Sequence, residues 1–220
     1  MNQRSKSMAI LLGLGAILII VSVLAVAIGS VHIPAAEVVA IILRRLHQLV
    51  TWQATNLELG NDVIVLNLRL PRAILAACVG ACLALAGCMM QGLLRNPMAD
   101  PYVIGVSAGA SVGGAIAFLL TGALGWRFGI ALTPLLAFLG AILAVVLVYL
   151  IARVDGRIPI MSLLLSGIAL NTVLSAVLSF LIYFSTKELQ SLIYWLMGSF
   201  NGRGWLHVGI ILPHLAIGLV

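Results

Sequence analysis

Five complete apolar runs and an incomplete sixth, none containing a charged residue, limit what this chain can fold into. They cover residues 8–28, 73–92, 104–122, 130–152, 162–184 and 205–220. A hydrocarbon core about 30 Å thick is crossed by roughly 20 helical residues, and lipid offers the backbone no hydrogen-bond partner, so each run reads as a transmembrane helix. All twelve Lys and Arg residues and all six acids lie outside the runs; burying one mid-span would cost about 2.5–3.5 kcal/mol. With 63% hydrophobic and 8% charged residues, too few polar side chains remain to cover a water-soluble surface. The expected fold is all-α, a polytopic transmembrane helical bundle.

The first run follows Arg4 and Lys6 and ends near Ala25-Val26-Ala27, a pattern that a cleaved signal peptide could share. A secretory apolar region is about 7–15 residues long. This run exceeds that and is read as a retained span. Between the first two runs, apolar clusters at 38–43 and 63–68 alternate with Glu37, Arg44, Arg45, Glu58 and Asp62, as in short amphipathic helices lying on a membrane face. Residues 189–197 carry Leu189, Leu192, Ile193, Leu196 and Met197 at helical spacing, and Gly198 and Gly202 should end a short helix there. The charge count does not fix orientation. With the N terminus inside, Arg4, Lys6, Arg95, Arg153 and Arg157 are internal, but Arg44, Arg45, Arg69, Arg72, Arg127, Lys187 and Arg203 are external.

Gly105, Gly109 and Gly113 recur every fourth residue, a spacing that lets helix backbones approach closely. Packing within one subunit is favoured over a dimer seam. Asn171, Thr172, Ser175 and Ser179 form a polar stripe on the fifth run, with Ser166 nearer its start; it either bonds neighbouring helices or lines a polar path. The most particular stretch is Leu68-Arg69-Leu70-Pro71-Arg72, followed after an apolar helix by residues 91–101, QGLLRNPMADP. Pro97 and Pro101 bar a continuous helix, and Asn96 and Asp100 suit the turns before them.

These segments, with Gly105-Val106-Ser107-Ala108-Gly109, Leu163-Leu164-Leu165-Ser166-Gly167 and residues 194–200, YWLMGSF, closely resemble the FecCD-type permease family of ABC importers, which carries iron–siderophore complexes, haem and cobalamin. The resemblance runs along essentially the whole chain. It implies ten spans per subunit, about six of them present here, in one permease domain over 1–220 that is truncated at its C-terminal end. It also implies a cytoplasmic N terminus, extracytoplasmic segments at 29–72 and 185–204, and a place in the bacterial or archaeal cytoplasmic membrane. The implied partners are a cytoplasmic ABC ATPase dimer, an extracytoplasmic substrate-binding protein and a second permease subunit, identical or paralogous. Arg69 and Arg72 then face outward to dock acidic residues of the binding protein, with anchoring of a helix end as the alternative. The fifth run then lines the translocation pathway, and Pro159, Ile160 and Met161 belong to a cytoplasmic gate. Other family members often place small hydroxyl residues there.

Only two lysines are present, Lys6 and Lys187, and neither follows a glycine-rich loop, so no Walker-type phosphate site is expected and ATP hydrolysis falls to a partner. No nucleophile, histidine and carboxylate occur in a recognisable order, and no enzyme is expected. Cys78, Cys82 and Cys88 share one apolar run with no accompanying His, Asp or Glu, and read as packing residues rather than metal ligands. His207 and His214 read as polar packing residues. The net charge of +6 comes from scattered residues and forms no nucleic-acid stripe. No cofactor or metal is expected. Two competing readings are a truncated, non-transporting membrane fragment and a secondary transporter or channel; the latter should show an ionisable residue within a span.

Overall fold

The computed structural model describes residues 3–51, 60–124, 132–185 and 189–219. The charges at Glu58, Arg127 and Lys187, and the expected span limits at Ile130 and Val220, lie outside them. The elements are α1 (Gln3–Ala27), α2 (Ala35–Thr51), α3 (Asn61–Val63), a π-helical turn (Ile64–Arg69), α4 (Leu70–Leu94), a 3₁₀ turn (Pro101–Ile104), α5 (Val106–Leu124), α6 (Leu132–Ala152), α7 (Ile160–Phe184), α8 (Leu189–Leu196) and α9 (Trp205–Gly218). No β-strand occurs among the described residues; Val154 and Arg157 form an isolated bridge.

Among the described residues, four helices are long and apolar enough to cross a membrane: Gln3–Ala27, the continuous Asn61–Leu94, Leu132–Ala152 and Ile160–Phe184. Helix α5, of 19 residues, and α9, of 14, are apolar but shorter. The second helix starts at Asn61, about three turns before the expected residue 73. The cluster at 63–68 is therefore the first part of a span-length helix, not a separate surface helix. Pro71 explains the π turn. A proline in a regular helix loses a donor and its ring strikes the carbonyl four residues earlier, and a widened turn relieves both problems. The Leu70 N–H accordingly reaches back to the Val65 carbonyl.

The chain forms two compact units, residues 1–83 with 200–220, and residues 84–199; the division falls within α4. In the first, Val26, Ala27, Ile33, Val38, Ile41, Val65 and Leu66 form a buried cluster joining the end of α1, the inner face of α2 and the π turn. Two polar contacts reinforce it: Asn61 Nδ2 donates to Glu37 Oε1 at 2.8 Å, and Arg44 lies 3.6 Å from Asp62. The Leu66 carbonyl lacks its usual helical donors, because Leu70 N–H turns to Val65 and Pro71 has no N–H. The indole of Trp205 supplies a donor at 2.9 Å.

In the second unit α5 and α6 form the most extensive helix pair, and α7 packs on both. Gly109 faces the Gly140 carbonyl and Gly113 the Leu136 carbonyl, so closely that a Cβ at either glycine would collide with backbone. Small residues thus bring two backbones together where lipid gives no hydrophobic drive for association. Helix α8 is held to α5 by Trp195, whose ring lies against Gly114 and 6.1 Å, centroid to centroid, from Phe118.

Candidate functional site

The polar stripe of the fifth run divides between a packed residue, Asn171, and three exposed ones on α7. Thr172, Ser175 and Ser179 lie on an exposed edge. Thr172 Oγ1 donates to the Ile168 carbonyl at 3.0 Å and Ser179 Oγ to the Ser175 carbonyl at 2.9 Å. Hydroxyl hydrogens held on their own helix leave oxygen lone pairs on the outer edge as acceptors. Ser166, by contrast, is buried.

Asn171 faces the protein. Its Nδ2 donates to the Tyr102 carbonyl at 3.0 Å, and its Oδ1 is buried without a partner among the described residues. One turn earlier, Gly167 lies so close to the Val103 carbonyl that a Cβ would not fit. Gly167 and Asn171 therefore seat the 3₁₀ turn on α7. Gly105 ends that turn with φ 86°, a left-handed conformation suited to glycine. Its role differs from the helix packing of Gly109 and Gly113.

The segment before it is built from interlocking caps. Arg95, at φ 49°, ends α4; the Asn96 N–H bonds to the Gln91 carbonyl at 3.2 Å and the Arg95 N–H to the Gly92 carbonyl at 3.4 Å. This is a Schellman arrangement with arginine at the left-handed position. Pro97 follows. Asn96 Oδ1 accepts the Met98 N–H at 2.9 Å, and Asp100 Oδ1 accepts the Tyr102 N–H at 2.8 Å with Pro101 opening the 3₁₀ turn.

Between α6 and α7, Val154 and Arg157 exchange two backbone bonds of 2.9 Å across Asp155 and Gly156, whose φ angles are 49° and 78°. Positive φ at both central positions is the type I′ hairpin. Pro159 then caps α7, and Ser162 Oγ donates to the Ala152 carbonyl at 2.9 Å, fastening the two helix ends. Ile160 and Met161 are exposed beside this turn.

Arg69 is directed onto backbone. Its Nη1 donates to the carbonyls of Val26 and Ala27 at 2.8 and 3.0 Å, and its Nη2 to that of Val31. Arg72 is half-buried, and its Nε has no partner among the described residues. The histidines serve local structure: Gly204 N–H donates to His207 Nδ1 at 3.3 Å, and His214 Nδ1 lies 2.8 Å from the Ile210 carbonyl. Cys78 is buried, Cys82 half-buried and Cys88 exposed.

The family model described as the FecCD transport family matches residues 17–220. The chain belongs to the FecCD transport family. It is 46% identical over 157 residues to the cobalamin import system permease protein BtuC of Halobacterium salinarum, covering 71% of this chain and 41% of that one. It is 34% identical over 209 residues to the molybdate import system permease protein MolB of Haemophilus influenzae, covering 89% and 55%. A solved structure described as an inward-facing conformation of a metal-chelate type ABC transporter superposes with a TM-score of 0.70 at 28% identity, covering 94% of this chain and 59% of that one. The chain thus spans about half the length of these relatives. As a FecCD chain it is a multi-pass membrane protein of a family of transport components.

Some residues that organise the site escaped the sequence reading. Asp155-Gly156 is a legible hairpin signal by composition alone. Gly140, Gly167 and Gly114 are isolated glycines whose importance depends on which backbone or ring lies opposite, and a single sequence does not contain that information.

Proposed function

We propose that this chain belongs to the membrane permease subunit of a binding-protein-dependent ABC importer for iron complexes, siderophore or haem, or for cobalamin. The single observation that carries this reading is the match to the FecCD model over residues 17–220. The geometry supports it through α7, a span-length helix packed on α5 and α6 that presents the acceptors of Thr172, Ser175 and Ser179 on its exposed edge. A chelate stripped of part of its hydration needs such scattered acceptors, spaced to hold it weakly at several points so that it moves on.

In this reading a cytoplasmic ATPase dimer supplies energy, a second permease subunit completes the pathway, and a substrate-binding protein delivers the cargo. Pro159, Ile160 and Met161 form part of a cytoplasmic gate, braced by the adjacent hairpin. Docking uses the positive charge of Arg69 and Arg72, with Arg72 making the direct approach, since Arg69 already donates to three carbonyls. The cobalamin and molybdate named for two relatives differ greatly in size, so cargo identity belongs to experiment.

Uptake of labelled ferric siderophore, haem and cobalamin should be measured in cells carrying the gene together with its neighbouring transport genes. Uptake of one chelate that stops when the gene is deleted is expected. Uptake of all three that persists at full rate after deletion would reject the importer reading.

A further inference from the structure

We infer that Arg69 is an internal brace: its guanidinium caps the C-terminal end of α1 and ties it to the start of the second span, and Gly29 is the seat that the brace requires. The inference stands on contacts within residues 1–83 and does not depend on the docking reading.

The last carbonyls of a helix have no intrahelical donor, and near lipid an unpaired carbonyl is costly. At the end of α1 the donors come from Arg69, on the π turn more than forty positions later. The bonds to Val26 and Ala27 carry one guanidinium nitrogen, and the bond to Val31 the other. The Ala27 carbonyl also accepts the Ile33 N–H at 3.2 Å, so the loop from α1 to α2 closes on an atom that the arginine holds. Val26, Ala27, Ile33 and Val65 are buried around this point. The bonds to Val26 and Ala27 are partly shielded from water, which strengthens charge-assisted bonds, while the bond to Val31 lies at the surface; the positive charge meets the negative end of the α1 dipole.

Gly29 shows how closely the guanidinium is seated. A Cβ built there would stand 2.6 Å from Nη2 and 2.8 Å from Cζ of Arg69. The tip of a free arginine would simply swing aside. Here three carbonyls pin it, so a methyl group at position 29 must break bonds to make room. The cost of any side chain at 29 should therefore exist only while the guanidinium is present.

The test is hydrogen–deuterium exchange on the full chain in detergent micelles, comparing wild type, R69M, G29A and the double variant. R69M and G29A should each speed exchange of the amides at 28–33 by about ten-fold, while amides of α5 and α6 keep their wild-type rates. The double variant should match R69M, because no guanidinium remains to be displaced. Additive effects, unchanged exchange at 28–33 in R69M, or acceleration spread evenly along the chain would each overturn the brace. If R69M does not fold, R69K is the second variant. Its single ammonium cannot reproduce the fork, so exchange at 28–33 should rise above wild type, and a wild-type rate overturns the inference. No binding protein enters these measurements, so their failure is separable from failure of the docking proposal.

Discussion

Gly109 and Trp205 show how individual residues meet the two demands of lipid, close contact and complete hydrogen bonding. At Gly109 the opposing atom is the backbone of Gly140, which cannot move aside as a side chain could. Gly109→Val should therefore force α5 and α6 apart and cost about 1–3 kcal/mol, as overpacking of a fitted interface does; detergent-titrated unfolding measures it, and unchanged stability would refute the contact. Trp205→Phe keeps the ring but removes the donor to the Leu66 carbonyl. That leaves a carbonyl unpaired and should cost about 1–3 kcal/mol, read by the same titration. Of these two, only Gly109 was legible beforehand, through its spacing from Gly105 and Gly113. Trp205 was not, because the need for its indole arises from a π turn in a segment far away in sequence. Spacing also misassigned Gly105, whose φ of 86° makes it a turn terminator. A four-residue period records position and carries no dihedral angle.

At the scale of elements, the junctions are better determined than their apolar sequences suggest. The polar stripe of the fifth run looked continuous, yet α7 turns Asn171 toward the 3₁₀ turn and leaves Thr172, Ser175 and Ser179 exposed. Residues one apart on a helix differ by about 100° in direction, so adjacent Asn171 and Thr172 were never bound to share a function. Asn171→Ala should loosen the 3₁₀ turn, and exchange of the amides at 102–105 should rise while Thr172→Ala leaves them unchanged. Equal effects of both would refute a packing role particular to Asn171. The α6–α7 hairpin follows its Asp-Gly pair. A Cβ at a left-handed position costs roughly 1–2 kcal/mol, so Gly156→Ala should destabilise the turn by about that amount, seen as faster proteolysis between 153 and 159. The start of the second span was less legible, since Arg69, Pro71 and Arg72 resemble an aqueous junction until the π turn absorbs the proline and the brace takes up Arg69.

For the whole molecule, hydropathy made the all-α, multi-pass character legible because the energies involved are large, several kcal/mol for each charge misplaced in lipid. Sidedness is weaker evidence by nature: Lys and Arg at loop ends tolerate either face, and here their simple count runs against a cytoplasmic N terminus. The family resemblance favours that orientation, which puts Met98 and Asp155 on the cytoplasmic side and Met197 on the opposite side, with α7 as the span between the last two. Replacing Cys78, Cys82 and Cys88 by alanine and placing single cysteines at 98, 155 or 197 makes this measurable, since Met98 and Met197 are 86% and 77% exposed. In right-side-out vesicles a membrane-impermeant maleimide should label Met197→Cys and leave Met98→Cys and Asp155→Cys unmodified until the vesicles are opened. The reverse pattern would invert the topology and move Arg69 and Arg72 away from any extracytoplasmic partner. It would remove the docking role while leaving the Arg69 brace intact, because hydrogen bonds to the end of α1 are indifferent to which side of the membrane they face.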